Sequence, residues 1–120
     1  MLEPNVIVLY VDNLLITSAF YQDLLGKNPE EDSPTFHSFK LSNGMGLGLK
    51  AKHSIEPPVN ENGCGELAFI LDNKSSVDEL FVEWQGKNIR MAQSPTELPY
   101  GYTFLALDPD GNRLRVVSLQ

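Results

Sequence analysis

The chain has 120 residues, of which 42% are hydrophobic and 21% are charged, an ordinary balance for one globular domain. Nine basic residues against 16 acidic ones give a net charge of −7, which argues against nucleic acids and anionic membrane surfaces as partners. With one cysteine, no apolar run of about 20 residues and no basic N-terminus, we expect a cytoplasmic protein without a disulfide, membrane span or secretory signal.

The first half of the chain predicts a strand, a helix and three further strands. The β-branched run at 6–11 ends at an Asp-Asn turn signal and predicts a buried strand. A helix is expected over 14–25, because Gly26 stands where a glycine commonly ends a helix. The remaining strands are expected at 28–32, 35–41 and 46–51, with a turn at 42–44.

The second half predicts the same order of elements. After a strand at 66–71, Val77, Leu80, Phe81 and Trp84 form one apolar helical stripe, with Trp84 assigned to the core. Ser76 and Glu79 have the spacing of a capping box, and Gly86 is expected to end the helix. The last three strands are expected at 88–93, 102–107 and 112–119. A stiff loop at 92–101 and a tight turn at 108–111 would connect them.

A repeat at an offset of 60 residues supports this division. Val11-Asp12-Asn13 matches Leu71-Asp72-Asn73, and Gly26-Lys27-Asn28 matches Gly86-Lys87-Asn88. The sequence therefore predicts a single domain over 1–120, built from module one at 4–53, a linker at 54–64 and module two at 65–120. Neither module is expected to be stable alone, because each would bury too little apolar surface.

The ordered set of motifs resembles the vicinal oxygen chelate superfamily, which includes glyoxalase I, the bleomycin-resistance proteins and the extradiol dioxygenases. The motifs are the Val11-Asp12-Asn13 turn, the helix SAFYQDLLG from Ser18 and the hairpin LDPDGNRLRV from Leu107. The resemblance implies an α+β fold of two tandem βαβββ modules. Their curved mixed sheets would surround a cup-shaped cavity.

Enzymes of that superfamily generally hold a divalent metal, and the resemblance carries its ligand positions onto Val6, Gly48, Glu66 and Arg115. Only Glu66 could donate to a metal, and Arg115 is always cationic. We therefore expect no metal and no cofactor. We expect instead that Glu66 and Arg115 form a two-point ion pair in the metal's place.

The histidines and the cysteine offer no alternative catalytic set. One of His37 and His53 is expected to line the cavity and the other to lie at the surface. Cys64 lies between two glycines of the linker, where no basic neighbour would lower its pKa. No catalytic residue is therefore assigned.

Residues on the cavity side of the strands, together with late aromatic residues, are the candidate ligand contacts. Gly46 and Gly48 would make either a flat floor for a planar ligand or a bulge, and the loop at 92–101 could close over the ligand. The full candidate set is Tyr10, Phe36, His37, Phe39, Gly48, Glu66, Tyr100, Tyr102, Phe104 and Arg115.

Two functions of different classes fit this pattern. The first is a metal-free homodimer that sequesters a small aromatic or bulky molecule, similar to the bleomycin- and phenazine-resistance members of the superfamily. The second is a metal-dependent lyase, isomerase or dioxygenase with displaced ligands. A scaffold or regulatory domain with a vestigial cavity is a third possibility.

Overall fold

A computed structural model of the protein describes residues 5–55 and 66–120, which fall into two compact units. Each unit has a helix and a four-stranded mixed sheet, so the α+β class and the βαβββ order are confirmed. Most of the predicted linker, with Cys64, lies outside the described residues. Within the described residues, neither helix is long and apolar enough to cross a membrane.

The first unit follows the predicted order closely. Strand β1 is Val6–Val11, helix α1 is Leu14–Leu25, and the remaining strands are β2 (Glu31–Asp32), β3 (Phe36–Lys40) and β4 (Gly46–Ala51). The Asn13 side chain accepts a hydrogen bond from the backbone N–H of Ile16 at 3.1 Å, which caps the helix. Gly26 ends it at φ +64°, as predicted. β2 is shorter than the expected 28–32.

The sheet of the first unit has the order β1-β4-β3-β2, with β1 parallel to β4 and the other pairs antiparallel. One face of the sheet packs on α1, and we call the side turned away from the unit's own helix the far face. Tyr21 and Leu49 are fully buried in the core beside α1, and Phe39 is almost so. Val6, Val8 and Tyr10 alternate onto the far face.

The second unit repeats the design. It contains β5 (Glu66–Ile70), helix α2 (Lys74–Gly86), β6 (Arg90–Leu98), β7 (Gly101–Leu107) and β8 (Arg113–Leu119), in the sheet order β5-β8-β7-β6. Trp84 packs edge-on against Phe69 and Phe104, with ring centroids 5.8 and 5.5 Å apart, which confirms its place in the core. Asp108 accepts hydrogen bonds from the backbone N–H groups of Asp110 and Asn112 in the predicted turn.

Two predictions for the second unit were wrong. Helix α2 begins at Lys74, because Asn73 rather than Ser76 is its cap: the Asn73 side chain accepts from the Ser76 N–H at 2.8 Å. The expected loop at 92–101 is largely strand, since β6 continues to Leu98 and leaves only Pro99 and Tyr100 as a turn. A proline is tolerated there because β6 is an edge strand with register shifts.

Candidate functional site

The register of the second sheet gathers charged side chains on its far face. Glu66 pairs with Arg113 across β5 and β8, and Arg115 lies two residues further along the same strand. Residues directly opposite in a ladder share a face, and residues two apart on one strand do so as well. The strand positions alone therefore bring one carboxylate and two guanidinium groups together.

Glu66 and Arg115 form the expected two-point ion pair. Arg115 donates from Nη2 to Glu66 Oε2 at 3.0 Å and from Nε to Glu66 Oε1 at 3.4 Å. The Arg115 side chain is 12% exposed and that of Glu66 is 33% exposed, so the pair is partly shielded from water. This confirms the predicted geometry, in which two parallel N–H···O contacts fix both side chains.

Further polar contacts hold the Arg115 guanidinium in place. Its Nη1 donates to the side-chain oxygen of Gln93 at 2.9 Å and to the hydroxyl of Thr103 at 3.2 Å. The hydrogen bond from Arg115 holds the pKa of the Glu66 carboxyl below its ordinary value, although partial burial opposes this shift. Glu66 is therefore held as a carboxylate, and Arg115 is held by hydrogen bonds from Nε, Nη1 and Nη2.

A divalent metal does not fit the residues at the positions that the resemblance implies. Val6 and Gly48 offer no side-chain donor, and both oxygens of Glu66 face Arg115. A guanidinium cannot donate an electron pair and repels a cation placed beside it. Within 5–55 and 66–120 no three His, Cys, Asp or Glu side chains are grouped closely enough to hold a metal.

The far face of the first sheet carries two of the predicted aromatic contacts. Tyr10, Lys50 and Phe36 lie in one row across β1, β4 and β3. Tyr10 is 41% exposed, and Lys50 Nζ lies 5.9 Å from the centroid of the half-buried Phe36 ring. The same ring lies over Gly48, so the predicted close approach to this glycine comes from Phe36.

Two other candidates of the first unit lie on the opposite side of the sheet. His37 is buried and faces α1, where its Nδ1 is 2.6 Å from the hydroxyl oxygen of Ser18. Phe39 is 1% exposed and belongs to the same helix-facing core. Neither shares a face with Phe36, because strand residues of odd and even number alternate. His53, the other histidine, is exposed.

The three aromatic candidates of the second unit lie in different environments. Phe104 is fully buried against Trp84, which excludes it as a contact for a ligand on the far face. Tyr102 faces α2 and donates a hydrogen bond from its hydroxyl to Asp78 at 2.7 Å, which raises the pKa of the tyrosine. Tyr100 is 46% exposed in the turn between β6 and β7.

Three residues that lie next to the Glu66–Arg115 pair were absent from the predicted set of ligand contacts. Gln93 and Thr103 contact Arg115, and Arg113 Nη1 lies 3.5 Å from Glu66 Oε2. Alternation along β8 already placed Arg113 beside Arg115, so its proximity could be found from the sequence. The contact from Gln93 could not be predicted, because Pro95 made this segment resemble a loop and the sequence does not show the register shifts of β6.

Comparison with known proteins agrees with the fold. The family model of the Glyoxalase/Bleomycin resistance protein/Dioxygenase superfamily matches residues 4–116. The phenazine antibiotic resistance protein EhpR of Enterobacter agglomerans is 31% identical over 121 residues, covering 98% of this chain and 93% of that protein.

Solved structures include similar chains from Agrobacterium tumefaciens. A protein whose solution structure was determined by NMR has 46% identity and a TM-score of 0.91, covering 100% of this chain and 99% of the other. A lactoylglutathione lyase from the same organism has 25% identity and a TM-score of 0.77, with coverages of 97% and 92%. With two βαβββ units and a family match over nearly its whole length, the chain belongs to the glyoxalase/bleomycin resistance protein/dioxygenase superfamily.

Proposed function

We propose that the protein is a cytoplasmic homodimer that binds and sequesters a small planar aromatic molecule without a metal ion. The observation that carries this proposal is the two-point pair of Glu66 and Arg115. The resemblance assigns these two positions to metal ligands in the superfamily's enzymes. The 31% identical relative is named as a phenazine resistance protein, and phenazine is a planar aromatic compound.

The Arg115 guanidinium is also chemically suited to an aromatic ligand. A guanidinium is planar and stacks on aromatic faces, and its interaction with a ring contributes about 0.5–2 kcal/mol depending on how far it is desolvated. Arg115 is held rigid by Glu66, Gln93 and Thr103, so little side-chain entropy is lost when a ring packs against it. Tyr100, which is 46% exposed in the turn between β6 and β7 of the same unit, is proposed as a further aromatic contact.

Calorimetric titration of the chelator-treated protein with phenazine tests this function. We expect saturable binding that Arg115→Gln weakens and that Val82→Ala leaves unchanged, because Val82 lies 66% exposed on α2. Circular dichroism of both variants controls for folding. Absence of saturable binding, or equal loss in the two variants, would contradict the proposal.

A metal-dependent lyase is the second candidate, favoured by the lactoylglutathione lyase among the similar structures. The donor set at Val6, Gly48, Glu66 and Arg115 opposes it. We expect chelation with EDTA to change neither the melting temperature nor phenazine binding. Elemental analysis that finds a stoichiometric metal, or a drop of several degrees on chelation, would favour the enzyme instead.

A further inference from the structure

The chain has three arginines, and all of them lie on the far face of the second sheet. Arg90 on β6 pairs with Leu107 on β7, Leu107 pairs with Arg113 on β8, and Arg113 pairs with Glu66 on β5. Arg115 lies in the next row, opposite Leu105. We call Arg90, Arg113 and Arg115 the arginine cluster.

The cluster has an excess of positive charge in a protein that is otherwise strongly acidic. Glu66 is the one carboxylate that the three arginines face along these two rows. The nearby Asp108 carboxylate instead accepts hydrogen bonds from groups of its own turn, Asp110 N, Asn112 N and Asn112 Nδ2. Two positive charges therefore remain uncompensated by ladder neighbours, although the whole chain has a net charge of −7.

The guanidinium groups differ in how many donors are still open. Arg115 uses Nε, Nη1 and Nη2 on Glu66, Gln93 and Thr103. The Arg113 side chain is 55% exposed, and among the described residues it approaches one carboxylate, that of Glu66, at 3.5 Å. Since a guanidinium carries five N–H groups, Arg113 has most of its donors available to a ligand.

Arg90 and Arg113 are placed so that both can reach one group. Two strand spacings of about 4.8 Å separate their backbones, roughly 10 Å in total, and both side chains are long. Leu107 lies between them and is partly exposed. The site therefore offers two cationic arms on either side of an apolar surface, which fits an acidic group attached to a hydrophobic ring.

We propose that the arginine cluster selects a ligand with a carboxylate on its aromatic ring system, with Arg113 as the specificity-determining residue. This inference rests on the proposed binding function and names the class of ligand. A carboxylate matches the planar fork of a guanidinium in two-point geometry. A monoanion is favoured over a polyanionic phosphate, because the field of a chain with a net charge of −7 repels higher charge more strongly.

The test compares two probes that share one ring system, phenazine-1-carboxylic acid and the neutral phenazine-1-carboxamide. We expect the wild-type protein to bind the acid about ten-fold or more tightly than the amide, as expected for charge-assisted hydrogen bonds. Arg113→Gln should remove this preference while leaving affinity for the amide close to that of the wild type.

Lys87→Gln is the matched control, because it removes one positive charge from the same unit on the helix side of the sheet. It should preserve the preference for the acid. Equal binding of acid and amide by the wild type, or equal loss in Arg113→Gln and Lys87→Gln, would overturn the inference and leave the binding function standing. Failure of both probes to bind would overturn the proposed function together with the inference.

Discussion

The ring of Phe36 lies directly over Gly48 on the far face of the first sheet. A Cβ placed on Gly48 would come within 2.8 Å of Cε1 and Cζ of Phe36 and within 3.3 Å of Val8 Cγ2. Gly46, on the same strand and the same face, has 3.5 Å to its nearest side-chain neighbour. The aromatic ring therefore covers the backbone at one glycine and leaves the other with ordinary space.

Gly48→Ala is expected to destabilise the protein by about 1–3 kcal/mol, because the ring of Phe36 must leave its place on the sheet. Gly46→Ala should change the free energy of unfolding by less than about 1 kcal/mol, since strand formation favours alanine over glycine when space allows. Urea unfolding of the two variants measures the difference. Equal destabilisation would show that the close approach of Phe36 to Gly48 is not what requires a glycine.

The Glu66–Arg115 pair is expected to couple the two strands energetically. Arg115→Met should destabilise more than the double variant Glu66→Leu, Arg115→Met, because the single change leaves the Glu66 carboxylate with only the longer 3.5 Å approach of Arg113. Glu66 is about one-third exposed, so solvent screening reduces the coupling to about 1–2 kcal/mol. A double-mutant cycle from urea unfolding measures it, and a coupling near zero would contradict the pair's role.

Acid should remove the contribution of Glu66 to stability. Its pKa is lowered in the folded protein, chiefly by the hydrogen bond from Arg115. The contribution is therefore complete above the ordinary value of 4.5 and is lost as the pH falls through the lower, folded value. The stability advantage of wild type over Glu66→Gln should be constant near neutral pH and shrink below about pH 4.5.

The same comparison in an Arg115→Met background gives the control for this pH dependence. Without the guanidinium the main cause of the lowered pKa is gone, so the dependence on Glu66 should become much weaker. Unfolding measured by circular dichroism over a pH series reports both backgrounds. An advantage that persists unchanged well below pH 4.5 would contradict the assignment of this pKa shift.

The exposed edge strand β1 is the feature on which we expect the proposed homodimer to form. Val6, Ile7 and Val8 are 52%, 39% and 42% exposed, an apolar row on a strand that has a partner on one side in its sheet. Light scattering at micromolar concentration should give about twice the 13.4 kDa chain mass. Val8→Lys should shift the protein toward monomer, whereas Ile16→Lys on α1 should not. A wild-type mass of 13.4 kDa would contradict the dimer.

Local sequence signals were sufficient for the fold wherever turns and periodicity agreed. Helix α1 and strands β1 and β4 have the predicted bounds, because Asn13, Gly26 and Gly44 give clear chain reversals and ends. The repeated Gly-Lys-Asn tripeptide gives one wrong expectation. In the first copy its glycine, Gly26, adopts the left-handed conformation, whereas in the second copy its asparagine, Asn88, does so at φ +61°.

The candidate site was predictable only in part, because strand alternation reports which residues share a face but not what covers them. Alternation placed Glu66 beside Arg115 only together with the ligand positions that the resemblance implies. It was not enough for the aromatic set, since Phe39 and Phe104 are as hydrophobic as any ligand contact and the helices bury them. The contact from Gln93 could not be predicted, because Gln93 lies on β6 and the composition of that segment is typical of a loop.

The irregularity of β6 disfavours the pairing of this strand with other chains. A nine-residue strand at the edge of a sheet is a template for pairing with other chains, because its outer N–H and C=O groups have no ladder partner among residues 5–55 and 66–120. Pro95 has no N–H to offer, and the register shifts between Met91 and Thr96 twist the rim out of a flat line. A strand from another molecule could pair with only short stretches of β6, which disfavours cross-β growth along this edge.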